Sequence, residues 1–205
     1  MMRVGVLVSG RGSNLAALLE DAARPDAPYA LVVVISNRPA APALERARAA
    51  GVMAVAVDRA DFGGRAEQQH QMLRTLRAQD VELIVTAGFD QILLPEVVAA
   101  FPQRILNIHP SLLPAFPGTL HAQQAALDHG VKISGCTVHL VTTEVDSGPI
   151  VLQAAVPVHD DDTVESLSAR ILEQEHRLLP QAVRLMAEGR VRVMGRRTVT
   201  TGPGH

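Results

Sequence analysis

Valine-rich apolar runs alternate along the first 110 residues with segments whose leucines and alanines recur at helical spacing. RVGVLV (3–8) leads into SGRGS and then NLAALLEDAA, which predicts a strand, a glycine turn and a helix. LVVVIS (31–36) carries three adjacent valines, the continuous apolar run of a strand buried on both faces. APALERARAAG (41–51) is then a helix closed by Gly51. The alternation continues through VMAVAVD (52–58), a helix over 64–79, ELIVTAG (82–88), a helix over 95–100 and RILNIH (104–109). Five βα repeats predict an α/β fold built on a doubly wound, mostly parallel sheet.

After Pro110 the pattern changes. SLLPAFPG holds two prolines and a glycine in eight residues and predicts a loop, followed by a helix near 121–129. KISGCTVHLV (132–141) alternates, and GPIVLQAAVPV (148–158) is its expected partner in an antiparallel C-terminal extension of the sheet. Helical spacing runs from Thr163 to Glu188 with an expected interruption at Pro180, and RRTVTTGPGH (196–205) reads as a flexible tail. The expectation is one domain over 1–195.

Composition narrows the partners. The chain has 205 residues, 47% hydrophobic and 20% charged, so it can bury a core and is not a disordered sequence. Nineteen basic residues against 21 acidic ones give a net charge of −2 with no block of one sign, which argues against nucleic acid or an anionic membrane as partner. The longest apolar run, YALVVVI, has seven residues where a membrane span needs about 20. The N-terminal apolar stretch is also too short for a secretory signal. Cys136 is the one cysteine, so neither an internal disulfide nor a thiolate metal site is expected, and the expected compartment is the cytoplasm.

Three motifs lie where strands end, and ligands of open α/β sheets bind beyond the carboxyl ends of strands. Gly10, Arg11, Gly12, Ser13 and Asn14 join the first strand to its helix, where unpaired N–H groups and a partial positive charge suit a phosphate. The plainer alternative is a tight turn with Ser13 or Asn14 as helix N-cap. Asn107 and His109 stand two apart on a strand and share a face, and an amide beside an imidazole can direct two hydrogen bonds at one developing oxyanion. The alternative is that both bond only to loop backbone. Asp146 lies in TEVDSGP between the two late strands; a carboxylate orients a neighbouring imidazole and favours its charged form, though acidic residues there also serve as turn residues. The eight histidines lack the HExxH spacing, so no metal site is expected.

SGRGSNL, NIHPSLLPAFPG and GCTVHLV followed by Asp146 together resemble the phosphoribosylglycinamide formyltransferases, folate-dependent enzymes of purine synthesis. The likeness extends through AGFDQIL (87–93), DSGPIVLQ (146–153) and ILEQEHRLLP (171–180), nearly the whole chain apart from the tail. It implies a Rossmann-like formyltransferase fold with a nucleotide-binding half over 1–110 and a folate and catalytic half over 111–195. It also implies that Asn107, His109 and Asp146 are catalytic and that Gly12, Ser13, Asn14 and Glu175 bind the ribonucleotide. Folate binding is implied for Arg65, for Asp90, Gln91, Ile92 and Leu93, for Asn107, and for Thr142, Thr143, Glu144, Val145 and Asp146. The co-substrate implied is 10-formyltetrahydrofolate, with no metal, and the partners are small molecules, with room for a homodimer. The implied reaction is direct attack of the ribonucleotide amine on the formyl carbon, with the oxyanion bound by Asn107 and a protonated His109.

Two departures from the family pattern stand out. Many members have an arginine where this chain has Gln91, and PGTLHAQQAAL is one residue longer than the common form. NIHPSLLP is shared with methionyl-tRNA formyltransferase and formyltetrahydrofolate deformylase, each of which carries a further domain. A reading of another class is a non-catalytic dinucleotide binder using Ser36, Asn37 and Arg38, against which Leu15 stands where the third fingerprint glycine is needed.

Overall fold

The computed structural model describes residues 1–202. The strands are β1 (Met2–Val8), β2 (Tyr29–Ser36), β3 (Met53–Ala56), β4 (Leu83–Thr86), β5 (Ile105–His109), β6 (Ile133–Leu140), β7 (Ile150–Pro157), β8 (Val191–Met194) and β9 (Arg197–Thr200). The helices are α1 (Ser13–Ala22), α2 (Pro42–Ala49), α3 (Arg65–Ala78), α4 (Pro95–Ala100), α5 (Ala122–Asp128) and α6 (Val164–Ala187). Seven strands form one sheet in the order β3-β2-β1-β4-β5-β6-β7, as the alternation predicts for a doubly wound α/β fold. β1 pairs in parallel with β2 and β4, β2 with β3, and the expected extension is present as the antiparallel pair β6–β7. Chain contacts divide the molecule into two compact units, Met1–Leu106 and the residues from Asn107 onward, so the division falls inside β5.

In the first unit Val4, Val6, Val8, Val33, Ile35, Leu83 and Val85 are buried, which is why these strands read as unbroken apolar runs. The chain lays β2 and β3 on one side of β1 and returns to place β4 on the other. That reversal is a topological switch point at the carboxyl ends of β1 and β4, where ligands of such sheets bind and from which residues 9–12 and the coil 87–94 depart.

The second unit is organised by α6 over β6 and β7. Cys136, Val156, Leu167 and Ile171 are its core, with Phe116, Leu178 and Val158 packed against them. Thr163 caps α6 in a reciprocal box with Ser166. The interruption expected at Pro180 does not occur: α6 continues through it to Ala187. Proline removes one N–H from the helix, but Leu179, Ala182, Val183, Leu185 and Met186 are buried along the same stretch and hold the turn in place. The tail expected to be flexible from 196 is in part a strand, since β9 pairs with β8 and Thr198 Oγ1 donates to the Ile150 carbonyl at 2.7 Å. Residues 203–205 of that expected tail lie outside the described residues.

Gly135 in β6 faces the backbone of β7. A Cβ there would collide with the Ala154 carbonyl oxygen and meet Leu112 Cδ2 at 2.9 Å. Gly135→Ala should therefore lower the unfolding free energy by about 3 kcal/mol or more. Urea denaturation measures this, and a loss under about 1 kcal/mol would contradict the packing described.

Candidate active site

At the end of β1 the cap of α1 is Gly12, not Ser13 or Asn14. Gly12 has φ 73°, and a Cβ on it would meet Ala43 Cβ at 2.7 Å, so glycine is needed both for the left-handed turn and for the close approach of α2. No side chain caps the helix start, which leaves the first turn of α1 with its dipole and donors directed outward. Arg46 Nε donates to the Arg11 carbonyl at 3.0 Å and anchors the same loop.

The coil after β4 is tied to the ends of β1 and β2. Ser9 Oγ donates to Asp90 Oδ1 at 2.8 Å, Asn37 Nδ2 donates to the same oxygen at 2.8 Å, and Arg38 forms an ion pair with Asp90 Oδ2. Burial pushes the Asp90 carboxyl up, but the hydrogen bonds from Asn37, Ser9 and Arg38, with the Arg38 charge, hold it below its ordinary value. Asn37 and Arg38 thus serve a carboxylate of the coil after β4. Arg65 stands exposed at the first position of α3. Ile92 is exposed, Leu93 is buried, and Gln91 turns its amide toward α3.

In the second unit Asn107, His109 and Asp146 converge. β5 places Asn107 and His109 on one face, and the turn after β6 brings Asp146 Oδ2 to 3.3 Å from His109 Nδ1. Asp146 has φ 49°, a left-handed conformation uncommon for a residue with a side chain. The convergence includes a residue that the sequence reasoning did not assign. His139 on β6, 2% exposed, lies 3.1 Å from Asn107 Nδ2 and 3.5 Å from Asp146 Oδ1, both measured from Nε2. An amide nitrogen can only donate, so Nε2 of His139 accepts from Asn107 when the ring's one proton sits on Nδ1, where the Leu140 carbonyl accepts at 3.0 Å. A proton on Nε2 would instead face Asp146. The signal for His139 was its phase, since His139 and Thr137 share one face of an alternating strand.

The loop after Pro110 closes on the same carboxylate and ring. His109 Nε2–H donates to the Phe116 carbonyl at 2.8 Å, and the Gly118 N–H donates to Asp146 Oδ2 at 2.7 Å. Buried Thr137 fixes the loop's base: its hydroxyl donates to the Ser111 carbonyl at 2.7 Å and accepts from the Leu113 N–H at 3.0 Å. Burial pushes the Asp146 carboxyl up, but hydrogen bonding with His139 and Gly118 and the charges of His109 and His139 prevail, holding it below 3.8. Thr142, Thr143, Glu144 and Val145 are exposed on the β6–β7 turn. Glu175 on α6 is buried beside Cys136, whose thiol is pushed up to about 12, first by burial and then by the Glu175 charge.

The model of the formyl transferase family matches residues 2–183. The chain belongs to that family. Phosphoribosylglycinamide formyltransferase of Escherichia coli is 38% identical over 192 residues, covering 94% of this chain and 90% of that protein. Glycinamide ribonucleotide transformylase 1 of Symbiobacterium toebii superposes with a TM-score of 0.96 at 52% identity, covering 98% of this chain and 95% of that one. The trifunctional purine biosynthetic protein adenosine-3 of Gallus gallus is 44% identical over 192 residues, but this chain spans 19% of its length. The family resemblance and the fold class read from the sequence are both borne out. Among the described residues no helix is long and apolar enough to cross a membrane.

The lowered Asp146 carboxyl has a consequence for stability. A group whose folded value lies below its unfolded value of 3.8 stabilises the fold above that pH and loses the contribution as pH falls through the folded value. The stability difference between the parent chain and Asp146→Asn should therefore be present above 3.8 and shrink as pH falls below it. Urea unfolding at stepped pH checks this; a difference that grows as pH falls below 3.8 would contradict the arrangement.

Proposed function

We propose that the chain transfers the formyl group of 10-formyltetrahydrofolate to the amine of 5-phosphoribosylglycinamide in purine synthesis, in the cytoplasm. The observation that carries this reading is the grouping of Asn107, His109 and Asp146 in a chain similar to named formyltransferases along most of its length. The ribonucleotide amine attacks the formyl carbon, forming a C–N bond and a tetrahedral oxyanion. Asn107 Nδ2–H and His109 Nε2–H are the donors to that oxyanion, and Asp146 orients the His109 ring through Nδ1. The His109 Nε2–H now rests on a neutral carbonyl, that of Phe116. A charged oxygen is the stronger acceptor, so the developing oxyanion competes well for this proton while the ground-state formyl oxygen does so less. One proton leaves the attacking nitrogen and one reaches N10 of the folate as the old C–N bond breaks.

In this reading Gly12, Ser13 and Asn14 hold the ribonucleotide phosphate by backbone N–H groups, the Ser13 hydroxyl and the α1 dipole, and Glu175 contacts the ribonucleotide. Arg65, the segment Asp90–Leu93, and Thr142–Asp146 hold the folate.

Release of tetrahydrofolate, followed with and without the ribonucleotide, tests the reaction. Release that depends on the ribonucleotide is expected, and equally fast release in water alone overturns the transferase reading in favour of hydrolysis. Asn107→Ala and Asp146→Ala should each lower kcat by about a hundredfold to a thousandfold. Near-parental turnover in either would overturn that residue's role. Ser13→Ala should raise KM for the ribonucleotide by about tenfold or less and leave KM for the folate unchanged, because one donor to a phosphate is lost. An effect on the folate alone would contradict the phosphate assignment.

A further inference from the structure

Two buried glutamines on α3 have no part in the roles above. Gln68 and Gln69 are both 0% exposed, and a buried primary amide is unfavourable unless its donors and acceptor are bonded. Gln68 Nε2 donates to the Val57 carbonyl at 2.7 Å, and its Oε1 accepts from Gln91 Nε2 at 3.1 Å. Gln69 Nε2 donates to Gln91 Oε1 at 3.3 Å and to the Ile92 carbonyl at 2.9 Å, while its Oε1 accepts from the Leu94 N–H at 2.8 Å. One side-chain amide therefore gives Ile92 and Leu94 the pair of hydrogen bonds that a neighbouring strand would give to residues i and i+2.

The other end of the same coil is held at Asp90 by Ser9, Asn37 and Arg38, and the Asp90 N–H donates to Ser9 Oγ at 3.0 Å. Ala87 and Gly88 still exchange backbone bonds with Leu7 and Ser9, but residues 89–94 carry no helix or strand, and there these side chains replace the ladder that would otherwise hold the backbone. Apolar side chains could fill the space of Gln68 and Gln69 without any demand for partners. The amides specify a backbone path where packing alone would leave it loose.

We infer that Gln69 is a positioning residue for the folate: it presets the backbone of Gln91–Leu94 before the ligand arrives, with Gln68 turning the Gln91 side chain inward. This rests on the proposal that Asp90–Leu93 hold the folate. Affinity for the folate then depends on a residue that does not touch it, because the ligand meets a segment already ordered. The neutral Gln91 amide, engaged with α3, is a brace and offers no charge to an anionic ligand.

Hydrogen exchange on the ligand-free parent chain tests the preset path directly. The Leu94 amide should be protected before any folate is added; free exchange that slows only when folate binds overturns the inference. Gln69→Met removes all three bonds at similar volume. It should raise KM for 10-formyltetrahydrofolate by about tenfold, with kcat and the ribonucleotide KM within about twofold of the parent. Gln69→Glu retains the acceptor for Leu94 and, kept protonated by burial, offers one O–H where the amide offers two N–H donors, so it should keep the Leu94 protection and raise the folate KM by less than Gln69→Met does. An unchanged folate KM in both variants, in a chain that does transfer the formyl group, overturns the role of Gln69 and leaves the proposed reaction intact. A parent chain that neither binds nor uses the formyl folate overturns that reaction and this inference with it.

Discussion

A carboxylate removed from bulk water must be compensated from every side, and the second unit is arranged around meeting that demand for Asp146. The side chain is 11% exposed, with His109 against one oxygen, His139 near the other, and the Gly118 N–H donating to the first. Each partner is drawn from a different stretch of chain: strand β5, strand β6, and the loop after Pro110. Removing the carboxylate would leave two imidazoles and a backbone donor facing nothing of opposite charge. The left-handed turn at Asp146 is the backbone strain that this arrangement sustains.

The hydrogen-bond logic then spreads outward. With Asp146 beside Nδ1 of His109, the other ring nitrogen is left to donate, and the Phe116 carbonyl takes it. On the neighbouring ring, the Leu140 carbonyl favours a proton on Nδ1 of His139, so Nε2 can accept from Asn107 and orient its amide. Thr137 and Ser111 hold the base of the loop on which Phe116 and Gly118 sit. Rigid neighbours of this kind let a side chain keep its direction without substrate present.

Much of this was legible in the chain. The valine runs gave the buried parallel strands because a strand covered on both faces has no need to alternate, and Asn107 and His109 could be placed on one face by the period of two. What stayed hidden depended on tertiary contact. No spacing reveals that Asp146 turns back to His109. His139 sits among small and apolar strand residues and reads as core until β5 is seen to bring Asn107 to it. Gly12 displaced Ser13 as cap because the approach of Ala43 leaves no space for a Cβ, a steric fact about two helices. Pro180 failed to stop α6 because burial along the helix outweighs one missing hydrogen bond, and local propensity contains no measure of burial.

Cys136 has a practical side as well. It is the one cysteine of the chain, fully buried against α6, with its thiol pushed up to about 12 by burial and by Glu175. Alkylating reagents and peroxides react with thiolates, and at neutral pH this sulfur almost never becomes one. A single cysteine introduced on the surface would then be the sole reactive handle for a fluorophore or spin label, with the native sulfur left in place.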